Sequence, residues 1–151
     1  MTTTQRVDLG KQHPNTYKAL LTLSAEAESN ALDSGLDPLL IELLRIRTSQ
    51  LNGCAFCLRM HTADALKKGE NPDRIAVLPA WRETGYFSTA DRAALGLAEA
   101  ITLVADGHVP DADYEAAAAV LPDEQLAAVS WVVIAMNALN RVAITSRYTV
   151  A

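Results

Sequence analysis

The chain has 151 residues, half of them apolar, with a formal charge of −5 and a pI near 5.1. That is the size of one ordinary domain with a core of its own, so residues 1–151 are expected to form a single unit that needs no cysteine staples. The acidic balance argues against nucleic acid and against anionic membrane surfaces, since both favour a basic face.

The opening MTTTQRVDLGKQHPN lacks the charged segment and apolar run of a secretory signal. After His13-Pro14, the stretch Asn15 to Ala31 places Tyr17, Leu20, Leu21, Ala25 and Leu32 near helical spacing, and Gly35 stops it. Asp37-Pro38 is a capping residue followed by proline at the first helical position, predicting a second helix to about Gln50. Asn52-Gly53 interrupts the chain, and a third helix is predicted from about Cys54 to Lys68, ended by Gly69. Asn71-Pro72 repeats the cap-and-proline start for a short helix ending near Pro79. Ala80 to Phe87 reads as a loop anchored on the core by Trp81 and Phe87.

Ser88 and Asp91 form a relative of the capping box and open a helix expected to run to about Asp106, with Gly107 as its stop. Asp111 to Leu121 predicts another short helix, and Pro122-Asp123-Glu124 starts a long last one reaching about Thr145. The best apolar run, Trp131 to Met136, ends at Asn137, well short of the ~18–20 residues of a membrane span. No run of alternating β-branched residues, internal repeat or linker is visible. The expectation is a compact multi-helix, all-α domain without a β-sheet, located in the cytoplasm.

In that compartment a close cysteine pair serves catalysis, redox exchange or metal binding more often than permanent cross-linking. The stretch LNGCAFCLRMH carries Cys54, Cys57 and His61, which share one helical face at i, i+3 and i+7. Cys57 and His61 are neighbours at i and i+4, so the imidazole can take the thiol proton. Cys54 stands in the first helical turn, where free N–H groups and the helix dipole favour a thiolate. The two sulfurs are also close enough to cycle between dithiol and disulfide. Zinc on Cys54, Cys57 and His61 is the rival reading, but structural zinc sites usually draw ligands from two segments and there is no second cysteine pair. Burial of both cysteines as small apolar residues is the plain alternative. It explains either one alone better than the trio, and no metal and no cofactor are expected.

Glu42 followed by LLRIRTSQLNGCAFCLRMH resembles the signature of the alkyl hydroperoxidase D-like group of the carboxymuconolactone decarboxylase superfamily. The shared pattern is a glutamate twelve residues before the first cysteine, then Cys-x-x-Cys-x-x-x-His. LPAWRETGYFS, DRAALGLAEAITLVADGHVP and NALNR extend the likeness over most of the chain. The resemblance implies an all-helical fold, a homo-oligomer (dimer, trimer or hexamer), and a peroxidase that uses a small-molecule peroxide and an unidentified dithiol reductant. It assigns Cys57 as the peroxide-attacking cysteine, Cys54 as the resolving one, His61 as the activating base and Glu42 as the next member of a proton relay. The best-known member carries a histidine just before its second cysteine; this chain has Phe56 there, so a second proton carrier is missing. The superfamily's other chemistry, decarboxylation of a lactone acid, needs no cysteine pair. A non-catalytic oligomer that senses redox state or holds zinc is the remaining class.

Among Leu39, Leu40, Ile41, Leu43 and Leu44, a buried Glu42 is expected to have its carboxyl raised toward neutrality. A Glu42 at the solvent edge of the stripe would instead pair with Arg45. Asn137, Asn140 and Arg141 interrupt the last helix and are expected to brace helices by hydrogen bonds. Arg45 and Arg47 suit either a subunit contact or a solvated face. His13 and His108 receive no role.

Overall fold

The computed structural model describes residues 4–151. Among them the elements in chain order are α1 (Leu9–Gln12), α2 (Pro14–Asp33), α3 (Pro38–Asn52), α4 (Ala55–Lys67), α5 (Pro72–Val77), a 3₁₀ segment (Leu78–Glu83), α6 (Thr89–Thr102), α7 (Val104–Gly107), α8 (Asp111–Ala118) and α9 (Asp123–Ser146). No strand occurs among the described residues, and the fold is all-α as expected.

Side chains in the sequence start these helices where the reading placed them. The Asp37 carboxylate accepts from the Leu39 amide at 2.9 Å, and the Asn71 side chain accepts from Asp73 at 2.9 Å. Ser88 and Asp91 form a complete capping box, with bonds of 3.1 and 3.0 Å in opposite directions. Each satisfies amides that a helix start leaves bare, which contributes about 1 kcal/mol per cap.

Several boundaries differ from the expectation. A one-turn helix α1, capped by Asp8, precedes His13 and is too short to show a periodic pattern. Residues 78–83 wind into a 3₁₀ segment rather than a loop, although Trp81 and Phe87 are buried anchors as expected. α6 stops at Thr102 because Leu103 leaves helical geometry, and one further turn, α7, carries the chain to Gly107. The left-handed position there falls on His108 (φ 58°), not on the glycine.

α3 is the centre of the molecule. It packs against α9, α4 and α6 and also meets α2 and the 3₁₀ segment. Leu40, Ile41, Leu43, Leu44 and Ile46 are all buried, and each contributes roughly 1.5–3 kcal/mol of apolar burial. α9 lies across α2, α3 and α6 and buries Leu126, Val129, Val132 and Val133 in the same core, while Met136 packs in a second cluster around the cysteines. By length and composition α9 could cross a membrane, despite the polar interruption at Asn137, but much of its apolar surface packs inside the domain. Because α3 is enclosed nearly all round, its polar residues Glu42, Arg45, Thr48 and Ser49 are buried as well.

Candidate active site

The chain passes from α3 to α4 through Gly53, whose φ of 68° needs a residue without Cβ strain. Cys54 follows as the N-cap of α4, and its sulfur accepts the Cys57 amide at 3.3 Å. The two cysteines form a disulfide, with Cα atoms 5.4 Å apart. They are 1% and 2% exposed, packed with Met136 and Ala143 of α9 and covered by Phe56, Leu139 and Tyr148. Phe56 and Tyr148 meet edge to face, with centroids 5.1 Å apart. Tyr148 reaches this place because Arg147 takes a left-handed turn after α9. The position where the resemblance would place a histidine thus belongs to an aromatic cover.

One turn after Cys57, His61 is also buried. Its Nδ1 lies 3.1 Å from Glu42 Oε2, while its Nε2 is buried and bonds nothing, sulfur included. In the disulfide form neither sulfur carries a proton for the ring to accept. Cys57 and His61 both lie in α4, four residues apart, and the imidazole engages Glu42.

Glu42 is 1% exposed, so it is the buried one of the two alternatives, yet it also pairs with Arg45. The expected rise of its carboxyl toward neutrality is overturned. Burial alone pushes it up, but hydrogen bonds from His61 and Lys68 and the charge of Arg45 outweigh that and hold it at about 2. Lys68 Nζ stands 2.7 Å and Arg45 Nη1 3.0 Å from Glu42 Oε1. An ionised carboxylate only accepts, so His61 Nδ1 must donate to it. In the neutral ring Nε2 is then the bare nitrogen. With its carboxyl held at about 2, Glu42 is ionised at neutral pH and accepts from the His61 ring.

The remaining polar residues brace the frame. Asn52, at the end of α3, donates from Nδ2 to Asn137 Oδ1 at 2.9 Å and Asn140 Oδ1 at 3.0 Å. Asn140 donates to Ser49 Oγ at 3.0 Å, and the Ser49 carbonyl accepts the Cys54 amide at 3.0 Å. The bracing expected of Asn137 and Asn140 therefore runs to the residues that present the first cysteine, and Arg141 supports Asn137. Arg45 and Arg47 are mostly shielded from solvent and find acidic partners within the chain. Arg45 joins Glu28 and Glu42, and Arg47 joins Glu99. Lys68, Glu28, Ser49 and Asn52 were missed by the sequence reading, because their partners lie on other helices.

A metal does not fit this centre well. In the disulfide form the two sulfurs offer no thiolate pair. Glu42, His61 and Asp64 have donor atoms within 4.8 Å of one another, but Arg45 and Lys68 already compensate Glu42 and would repel a third cation.

Residues 14–100, more than half of the chain, match the carboxymuconolactone decarboxylase family. The chain is 37% identical over 140 residues to the uncharacterized protein YdfG of Bacillus subtilis (strain 168), covering 93% of this chain and 92% of that protein. It is 30% identical over 70 residues to the uncharacterized protein YnjA of Escherichia coli (strain K12), covering 46% and 38% of the two chains. A crystal structure from Agrobacterium tumefaciens superposes with a TM-score of 0.86 and 31% identity over 98% of this chain and 99% of that one. That protein, ATU0492, is described as of unknown function and as a candidate antioxidant defence protein AhpD. With the glutamate, the paired cysteines and the histidine in place on this all-helical frame, the chain belongs to the carboxymuconolactone decarboxylase family as an AhpD-like member.

Proposed function

We propose that the protein is a thiol-dependent peroxidase in which Cys57 attacks the peroxide and Cys54 resolves the product. The observation that carries this reading is the Cys54–Cys57 disulfide at the start of α4, one turn ahead of a buried imidazole with a bare Nε2. In the reduced pair, Nε2 takes the Cys57 proton. The thiolate attacks one peroxide oxygen, the O–O bond breaks, and the leaving alkoxide regains a proton as an alcohol. Cys57 is then a sulfenic acid; the Cys54 thiol displaces its hydroxyl as water and closes the disulfide. Both electrons of the turnover come from the two thiols. An external dithiol must return them by exchange at the same sulfurs.

The similarity to an Agrobacterium protein described as a candidate for antioxidant defence supports this direction. Decarboxylation, the activity in the family's name, has no use for the cysteine pair. Glu42 serves by fixing the ring, and the apolar cover of Phe56, Leu139 and Tyr148 makes the approach to the sulfurs water-poor. The test is consumption of hydrogen peroxide and an organic hydroperoxide with dithiothreitol and a panel of other small dithiols, in wild type and Cys57→Ser. Turnover in the wild type and none in the variant is expected. Full activity in Cys57→Ser sinks the mechanism.

A further inference from the structure

The two oxygens of the Glu42 carboxylate are used differently. Oε1 receives Lys68 Nζ at 2.7 Å and Arg45 Nη1 at 3.0 Å, while Oε2 receives His61 Nδ1 at 3.1 Å. We propose that Lys68, together with Arg45, is a positioning residue of the redox centre: by occupying Oε1 it commits Oε2 to His61 Nδ1 and so keeps Nε2 as the free acceptor. This rests on the thiol–imidazole reading above and adds to it the groups that set the imidazole's proton distribution.

The arrangement follows from where the chain places each charge. His61 and Lys68 are seven residues apart, two helical turns, so α4 brings a ring and an ammonium to one carboxylate on α3. Arg45 lies one turn beyond Glu42 on α3, and its second nitrogen is held by Glu28 Oε2 of α2 at 2.8 Å. Lys68 is also 3.7 Å from Glu28 Oε1, so Glu28 ties both cations from the solvent side. Asp64 also lies near the ring, with a carboxylate oxygen within 4.8 Å of donor atoms of His61 and Glu42. It makes no hydrogen bond to the ring and stands 3.9 Å from Lys67.

A carboxylate held through one oxygen by two cations cannot swing without breaking charge-assisted bonds, which are roughly twice as strong as neutral ones. Without Lys68, Glu42 keeps Arg45 alone and gains freedom to turn, and Asp64 becomes a competing partner for His61. A ring that donates from Nδ1 part of the time, and from Nε2 the rest, offers Nε2 as the base only part of the time. The buried, unpartnered Nε2 is the atom whose state this decides.

The experiment uses reduced full-length protein with ¹⁵N-labelled histidine. Nitrogen–proton correlation spectra, recorded where titration shows the ring neutral, report which nitrogen of His61 carries the proton. The wild type is expected in the Nδ1–H form, and Lys68→Met in a mixture with an increased Nε2–H population. The Cys57 alkylation rate should fall on the order of tenfold in Lys68→Met, less than the 10²–10⁴ that a positioned base supplies in full. Lys68→Arg, which keeps the charge, should restore both signals. Lys68 lies partly in solvent, so the methionine variant is expected to fold. A wild-type tautomer in Lys68→Met, an unchanged rate, or an Nε2–H ring in the native protein overturns the proposal. The tautomer is read without any peroxide, so a protein with the expected ring but no peroxidase activity refutes the proposed function and supports this inference.

Discussion

Replacing Glu42 by glutamine tests the electrostatics of the centre directly, because it keeps the shape and removes the charge. The carboxyl is held at about 2, against an ordinary value of 4.5. Its folded-state pKa is depressed, so it contributes stability that is fully present above pH 4.5 and is lost as the pH falls toward 2. The difference of about 2.5 units corresponds to about 3 kcal/mol at neutral pH, with about 2 kcal/mol of that gone by pH 3. The side chain is only 2% exposed, so solvent screening removes little of it. Urea unfolding of the oxidised protein at pH 7, 5, 4 and 3 gives the stability gap between wild type and Glu42→Gln. That gap is expected to stay constant from pH 7 to 5 and then to close by about 2 kcal/mol at pH 3. A gap that widens on acidification would show that burial dominates and that Glu42 is raised. In that case its part as an ionised anchor for His61 is wrong.

Two further outcomes are expected. Reducing the disulfide releases a loop of sequence separation 3. The chain-entropy cost is about 2 kcal/mol, equivalent to a fall of about 4–8 °C in a still cooperative thermal transition; loss of the helical circular-dichroism signal on reduction would exclude a cycle between the two states. Asn140→Leu removes the acceptor of Asn52 and the donor to Ser49 at a fully buried position. It should lower the stability by about 2 kcal/mol, read from the urea midpoint, and an unmoved midpoint would remove Asn140 from the frame that presents Cys54.

The helices and the redox stripe were legible in the sequence because their causes are local. A cap acts on amides two or three residues away, as at Asp37, Asn71 and Ser88. Cys57 and His61 stand one turn apart by helical periodicity, whereas Cys54, expected in the first helical turn, is the extended N-cap of α4 and meets Cys57 from outside the helix. The short elements α1 and α7 were not legible, since one turn gives no period to read.

The charge state of Glu42 was decided only by the tertiary structure. Among its leucines the carboxylate looked set to rise, and the cations that hold it down come from Arg45 on its own helix and from Lys68, 26 residues along the chain. Burial and compensation depend on distances in space, and both enter a buried carboxylate's energy with large and opposite signs. The amide frame is the same case: Asn52 meets Asn137 and Asn140 across 85 and 88 residues. Sequence spacing supplied the sulfurs and the imidazole, and the packing of α2, α3 and α4 decided which Glu42 oxygen meets the two cations and which meets the His61 ring.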